Sequence, residues 1–167
     1  MDPANIKPFV QSVQNVFSTM LQLPLTIGEP AIKNDDEPTF DVSGIIGMSG
    51  EVVGSVVLSF PQETAERVVA LFTGLPPEDV GDNLPDAVGE LVNMVSGGAK
   101  GQFKDRKVSI SCPSVVLGKN HTVARPKDVP CIMIPCESDC GAFALEVALQ
   151  DRKPQSSEQS ASAAAQA

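Results

Sequence analysis

The spacing of apolar side chains predicts a helix followed by three strands in the first part of the chain. Residues 3–22 carry apolar side chains at the i, i+3, i+4, i+7 spacing of an amphipathic helix. Three stretches rich in β-branched or apolar residues follow, at 25–33, 39–49 and 51–60. The pair Ser49-Gly50 between the last two is typical of a hairpin turn, so we expect these two strands to be neighbours.

Two more helices and three more strands are predicted in the rest of the chain. Pro61 precedes a helix over 62–73, and a second helix is predicted from about Pro85 to Phe103. The intervening linker is too rich in Pro, Gly and Asp to continue the first of them. The remaining periodic segments predict strands at 108–118, 128–136 and 141–149. The order α-β-β-β-α-α-β-β-β is typical of an α+β fold with a mainly antiparallel sheet.

The length of the chain predicts one domain with a short tail. A chain of 167 residues can bury one hydrophobic core, and we place the domain at residues 1–150. Residues 151–167 are dominated by Ser, Ala and Gln and carry almost no large apolar side chain. Such a composition cannot bury enough apolar surface to fold, so we predict a disordered tail.

The charge of the chain excludes one broad class of function. The formal net charge is -9 and the isoelectric point is near 4.5. Proteins that bind nucleic acid without sequence preference need clustered Lys and Arg, and no basic stripe is present. No apolar run is long enough to span a bilayer, and the first residues lack the pattern of a signal peptide. We therefore expect a cytoplasmic protein with no nucleic-acid or membrane partner.

The four cysteines favour free thiols over a disulfide framework or a metal site. A chain of this size without a secretory signal does not need disulfides to be stable. The spacing contains no Cys-x-x-Cys pair, and the one histidine, His121, lies in a segment typical of a turn. We expect Cys112 and Cys131 to be small core residues in strands, and we hold a zinc or thiol function as a less favoured alternative.

The candidate chemistry lies in the third predicted helix, in the stretch DAVGELVNMVSGGAKG at residues 86–101. At about 100° per residue, Asp86, Glu90, Asn93 and Gly97 fall within about 60° of one another. The opposite side carries the apolar positions Val88, Leu91, Val95 and Ala99. We therefore expect the polar residues to face solvent or a partner, and we note that Asn and paired glycines are poor helix formers.

This polar face favours recognition of a cation together with orientation of a small polar molecule. One carboxylate and one amide are too few ligands to favour a metal site. No Ser-His or Cys-His pair can be identified near them to act as nucleophile and base. Gly97 would leave a low spot where another molecule could approach. From composition and spacing alone, an ordinary solvated helix face remains an alternative.

The same residues resemble a known motif. The stretch D86-x-x-x-E90-x-x-N93-x-x-x-G97 resembles the signature of the CheC/CheX/FliY phosphatases of bacterial chemotaxis. The opening helix IKPFVQSVQNVFSTML and the hairpin with the PQETAERVV segment after it are similar to the CheX branch. The resemblance covers most of residues 5–149, and the single copy of the motif is typical of CheX rather than CheC.

The resemblance implies a sheet packed against three helices and a phosphatase, a hydrolase acting on the aspartyl phosphate of a CheY-like receiver domain. Asn93 would position the attacking water and Glu90 would pair with the receiver's lysine, with Asp86 and Gly97 in supporting roles. The enzyme would need no cofactor of its own, since the receiver holds Mg²⁺. The resemblance also implies a homodimer. A non-catalytic module that binds a receiver or a flagellar-switch component is the alternative.

Overall fold

An antiparallel sheet of eight strands with three helices forms the structure, a computed structural model that describes residues 1–152. The helices are α1 (Pro3–Leu21), α2 (Gln62–Thr73) and α3 (Leu84–Lys100). The strands are β1 (Thr26–Ile27), β2 (Ala31–Lys33), β3 (Val42–Gly50), β4 (Val52–Phe60), β5 (Val108–Ile110), β6 (Ser114–Leu117), β7 (Cys131–Ser138) and β8 (Gly141–Asp151).

The predicted fold class and element order are confirmed, with local differences that have physical causes. The predicted strands 25–33 and 108–118 are each divided into two short strands. A proline stands directly before the second piece in both cases, Pro30 before β2 and Pro113 before β6, and proline lacks the N–H that a ladder needs. Helix α3 ends at Lys100 rather than Phe103, with Gly101 at its C-cap.

The strand order places the predicted hairpin inside the sheet and the divided strands at its edges. The order is β1-β7-β8-β4-β3-β5, with β2 also paired to β7 and β6 also paired to β3. All pairings are antiparallel, and β3 pairs with β4 from Val42–Phe60 to Met48–Gly54. The predicted turn is confirmed, since Gly50 adopts φ 104° there, a value that favours glycine.

The two faces of the sheet are covered differently. Along β8 the odd-numbered residues Phe143, Leu145, Val147 and Leu149 belong to the main core, which also contains apolar side chains from all three helices. The even-numbered residues face the other way, because successive side chains of a strand alternate. There, Ala148 packs with Val129 and Cys131 in a second, small core. The segment between β6 and β7 therefore covers the face that the helices leave open.

A buried ion pair lies on this second face. The Nζ atom of Lys33 is 2.6 Å from Oε1 of Glu146, and both side chains are almost completely buried. Arg125, from the covering segment, donates to the carbonyl oxygen of Lys33 at 3.0 Å and pairs with Asp35. Arg125 thus attaches the covering segment to the edge strand β2, and Lys33 links β2 to the central strand β8.

The predicted domain end lies close to the end of β8. This strand runs to Asp151, and the N–H of Arg152 donates to the carbonyl oxygen of Glu51 at 2.8 Å. Residues 153–167 lie outside the described residues, so the division into a domain and a disordered tail stays a prediction. Among the helices of residues 1–152, none has the length and hydropathy that crossing a membrane requires.

Candidate functional site

Helix α3 is held from two sides by its apolar residues. The predicted core positions Val88, Leu91, Val95 and Ala99 are all fully buried, which confirms the helical wheel. On the sheet side, Val88 and Val92 approach so closely that a Cβ at Gly44 would meet them at 3.2 and 2.9 Å. On the other side, the hydroxyl of Ser12 in α1 donates to the carbonyl oxygen of Val95 at 2.6 Å. These contacts fix the rotation of α3 and hence the direction of its polar face.

The opposite face carries the four predicted site residues. Asp86, Glu90 and Gly97 are exposed and Asn93 is half-buried, so the structure brings all four to one surface of the helix. Within residues 1–152, no side-chain hydrogen bond or salt bridge involves Asp86, Glu90 or Asn93. The two carboxylates and the amide are therefore free to bind groups from another molecule.

The adjacent glycines of α3 have different surroundings. A Cβ at Gly98 would lie 2.4 Å from Oγ of Ser12, so Gly98 allows α1 to approach α3 and to make the Ser12–Val95 hydrogen bond. A Cβ at Gly97 would meet no atom within 4 Å. Packing within the protein thus explains Gly98 but gives no reason for a poor helix former at Gly97.

The start of α3 is built by backbone turns rather than by a side-chain cap. Two short 3-10 turns, at Pro77–Asp79 and Gly81–Asn83, lead into the helix, and Asn83 makes no capping hydrogen bond. Asp86 lies in the first turn, where a carboxylate interacts favourably with the positive end of the helix dipole. This position gives Asp86 a structural role whether or not it also contacts a partner.

A surface depression of about 330 Å³ adjoins Glu90. One wall is formed by α3 and the other by the edge strand β6, and its lining consists of Pro85, Asp86, Gly89, Glu90, Pro113 and Val115. Carboxylates and apolar surface together suit a cation on an aliphatic stem, such as a lysine side chain. The pattern of α3 did not reveal Pro113 and Val115, because their position depends on the pairing of β6 with β3.

The structure separates the cysteines and the histidine from this helix face. The expectation for Cys112 is wrong, because it is exposed in the break that Pro113 makes between β5 and β6, whereas Cys131 is buried in β7 as expected. Burial raises the pKa of Cys131 to about 11 and that of Cys136 to about 12, which disfavours thiolate chemistry at these two positions. No group of three or more potential metal ligands occurs in residues 1–152.

His121 has a structural explanation in the covering segment. One ring nitrogen, Nδ1, lies 2.8 Å from the carbonyl oxygen of Gly118, and Nε2 lies 2.9 Å from Oγ of Ser43. The backbone carbonyl of His121 also accepts from the N–H of Thr39 at 3.0 Å. These bonds fasten the covering segment to β3, on the opposite side of the sheet from the helices.

Sequence reasoning did not single out Ser96. This residue is fully buried, with no solvent-accessible surface, and its hydroxyl has no hydrogen-bond partner among residues 1–152. A buried serine on an otherwise apolar helix side is common, and only the structure shows that this one is unpaired. The spacing of three residues from Asn93 was the one available signal.

Comparison with known proteins gives consistent results. Residues 42–137, which contain the whole polar face of α3, match the profile of the family described as chemotaxis phosphatase CheX. A CheY-P phosphatase CheX from Thermotoga maritima is 29% identical over 123 residues, which cover 72% of this chain and 79% of that protein.

Solved structures share the fold. A CheC-like superfamily protein from Shewanella sp. PV-4 is 37% identical with a TM-score of 0.81, and the match covers 90% of this chain and 99% of that one. The crystal structure of a CheX–CheY–BeF₃–Mg²⁺ complex from Borrelia burgdorferi matches at 22% identity and a TM-score of 0.74, covering 88% of this chain and 98% of that one. At this lower identity the likeness shows the fold alone.

Proposed function

The chain belongs to the chemotaxis phosphatase CheX family, and from this we propose that it hydrolyses the aspartyl phosphate of a CheY-like receiver domain. The observation that carries the proposal is the polar face of α3. Glu90 and Asn93 lie on one surface, a turn apart, without partners among residues 1–152, and Gly97 keeps the next turn open. The Thermotoga relative is named as a CheY-P phosphatase, which supports the same substrate class.

Asn93 has the chemistry to position the attacking water. Hydrolysis of an acyl phosphate needs a water in line with the phosphorus and about 3 to 3.5 Å from it, and holding it there lowers the barrier by several kcal/mol. An amide does this without a change in its protonation state, as glutamine does in other phosphoryl-transfer sites. Asn93 is half-buried, so its rotation is restricted while its end can still reach into a partner's site.

Glu90 has the chemistry to anchor the partner. A phosphorylated receiver presents a lysine near the phosphoryl group, and the exposed, unpaired carboxylate of Glu90 can bind its ammonium. The neighbouring depression offers Pro85, Pro113 and Val115 to the aliphatic part of such a side chain. Contact with the receiver removes water from this pair, so the pair contributes more than the 0 to about 1 kcal/mol of an exposed salt bridge.

The division of labour requires no cofactor bound to this chain. The phosphoryl group, Mg²⁺ and the lysine would belong to the receiver, and this chain would add the water-positioning amide and the anchoring carboxylate. The depression is lined by two carboxylates and by no basic side chain, so it offers no cation to a free anionic substrate. Recognition of an acidic receiver therefore has to come from local contacts, since long-range attraction between two acidic proteins is absent.

The test is the rate of phosphate loss from a CheY-type receiver of the same organism. Wild-type protein in substoichiometric amount should accelerate phosphate loss over many turnovers, and Asn93→Ala should lower kcat by about a hundredfold while the protein stays folded. Glu29→Gln, which lies between β1 and β2 at the opposite edge of the sheet, serves as the control with unchanged turnover. Wild-type protein without any effect on several phosphorylated receivers would refute the proposal.

The same assay separates the second candidate, a non-catalytic binding module of the same fold. The exposed and unpaired Glu90 supports this candidate as well as the first, because docking alone needs it. Such a module would bind the receiver in a Glu90-dependent manner without speeding phosphate release. Binding with an unchanged rate would therefore favour the module, and binding with turnover favours the enzyme.

We further propose that two copies pair through the β5–β6 edge. This edge leaves backbone groups of β6 without a strand on its outer side, and Leu117 is 52% exposed there. Light scattering on the purified protein should give twice the monomer mass. Leu117→Lys should then shift the protein to monomer mass, and monomer mass for the wild type across a wide concentration range would contradict the pairing.

A further inference from the structure

The hydroxyl of Ser96 is the one buried side-chain nitrogen or oxygen in residues 1–152 that has no hydrogen-bond partner. Folded proteins satisfy nearly all such groups, because a buried donor without a partner costs free energy. Ser96 is not at all exposed to solvent, so water at the surface does not satisfy it. A group of this kind in a native structure needs a reason, and a functional contact is a common one.

The usual local solution for a helical hydroxyl is not used here. A serine or threonine within a helix can donate to the carbonyl oxygen four residues earlier. Thr19 does so to Asn15 at 2.7 Å, and Thr73 does so to Val69 at 2.8 Å. Ser96 makes no such bond to Val92. Its oxygen is therefore available to a group other than its own helix backbone.

The neighbouring polar group is the carboxamide of Asn93. Side chains three residues apart on a helix are neighbours, with about 5–6 Å between their Cβ atoms. Helical side chains also lean toward the N-terminus of the helix, so that of Ser96 leans toward the turn that contains Asn93. The carboxamide of Asn93 makes no hydrogen bond among the described residues either, and Asn93 is half-buried where Ser96 is fully buried.

The two ends of a carboxamide are not equivalent for the proposed reaction. A water that attacks phosphorus must direct a lone pair at it, so its hydrogens are best held by an acceptor. Oδ1 of Asn93 is an acceptor, whereas Nδ2 is a donor that would compete for the lone pair. A partner for Nδ2–H on the protein side would keep Oδ1 toward the water.

We propose that Ser96 is this partner, a positioning residue whose Oγ accepts from Nδ2–H of Asn93 when a receiver docks on α3 and displaces solvent from its face. The inference rests on the proposed function and adds to it the residue that determines how the carboxamide of Asn93 is oriented. Before docking, Asn93 is solvated and the buried hydroxyl of Ser96 has no hydrogen-bond partner, which lowers the stability of the free protein. In the complex, both groups are satisfied and the orientation of the carboxamide is fixed.

The closing experiment measures stability and turnover of Ser96→Ala together. Removal of an unpaired buried hydroxyl should leave the melting temperature of the free protein unchanged or raised, whereas a purely structural hydroxyl would lower it when lost. Turnover of a phosphorylated CheY-type receiver should nevertheless fall by about tenfold or more in kcat, with KM unchanged. The isosteric Ser96→Cys keeps a weak acceptor and should retain part of the rate.

A double variant identifies the residue through which Ser96 acts. In an Asn93→Ala background, Ser96→Ala should cause no further loss of kcat, because the group that it positions is absent. The inference is overturned if Ser96→Ala has the kcat of the wild type, or if the double variant loses more activity than Asn93→Ala alone. The proposed function would survive either result, provided that the wild type is active and Asn93→Ala is inactive. An inactive wild type would instead overturn the proposed function, and the inference with it.

Discussion

Alanine at Gly97 and alanine at Gly98 should have opposite effects on stability. Both substitutions remove a poor helix former from α3, which on its own raises the free energy of unfolding by about 0.5–1 kcal/mol. At Gly97 the new methyl group meets no atom within 4 Å, so the full gain should appear. For a domain of this size the melting temperature should rise by about 1–4 °C.

At Gly98 the same methyl group would lie 2.4 Å from Oγ of Ser12. The new methyl group displaces Oγ of Ser12 and so disrupts the hydrogen bond from this hydroxyl to the carbonyl oxygen of Val95. A buried polar group left without its partner costs about 1–3 kcal/mol. Because the helix-propensity gain is common to both variants, the difference in their free energies of unfolding isolates this cost, and Gly98→Ala should be the less stable by about 1–3 kcal/mol.

At Gly97, the substitution that raises stability should lower phosphatase activity. If the space above Gly97 belongs to the receiver, the more stable Gly97→Ala protein should dephosphorylate it less efficiently, with a raised KM. Urea unfolding and turnover of a phosphorylated CheY-type receiver measure the two quantities on the same samples. Equal stability of the two variants would refute the packing argument, and an unchanged KM for Gly97→Ala would refute the docking argument.

Three further predictions concern charges and thiols. Glu90→Gln should raise KM for the receiver by about tenfold or more, as expected for loss of one partner of a desolvated pair, whereas Glu29→Gln at the far edge of the sheet should leave KM unchanged in the same assay. Lys33→Met should lower the free energy of unfolding by about 3–5 kcal/mol, because it leaves the Glu146 carboxylate buried without its partner. In urea titrations, the double variant with Glu146→Leu should recover most of this loss. An equal or larger loss in the double variant would contradict the prediction. Burial raises the pKa of Cys131 from 9.0 to about 11, so this thiol ionises at a lower pH in the unfolded chain than in the folded protein. The stability that the Cys131 thiol contributes is therefore complete below pH 9 and is lost as the pH rises toward 11. Unfolding curves of the wild type and of Cys131→Ala at pH 8 and pH 11 would detect this loss.

The elements of the fold were predictable because their patterns are local. The apolar periodicity of α3 identified its buried side, and the β-branched segments with a turn between them identified the central hairpin of β3 and β4. The direction of the polar face followed from the same wheel, so Glu90 and Asn93 could be placed at the surface without a structure. The motif resemblance then gave these two residues their proposed roles.

The features that escaped prediction depend on contacts between distant segments. Lys33 becomes a buried partner of Glu146 only because β2 and β8 both flank β7 and a later segment covers this face. The wall that Pro113 and Val115 add beside Glu90 depends on the register of β6 against β3. The explanation of Gly98 is similar, since it requires Ser12 of a helix far away in sequence. No local pattern encodes such pairings.

The outward-facing position of Glu90 and Asn93 has a consequence for metabolism as well as for signalling. A free acyl phosphate that reaches the depression beside α3 meets the carboxylates of Asp86 and Glu90 and repulsion instead of a counterion. If the proposed function holds, this chain supplies only part of the active site, and catalysis is possible only while a bound receiver supplies Mg²⁺, the lysine and the phosphoryl group. Small phosphorylated metabolites, which bring neither Mg²⁺ nor a lysine to this face, should then not be hydrolysed, and turnover cannot be faster than the rate at which the spent receiver leaves the helix.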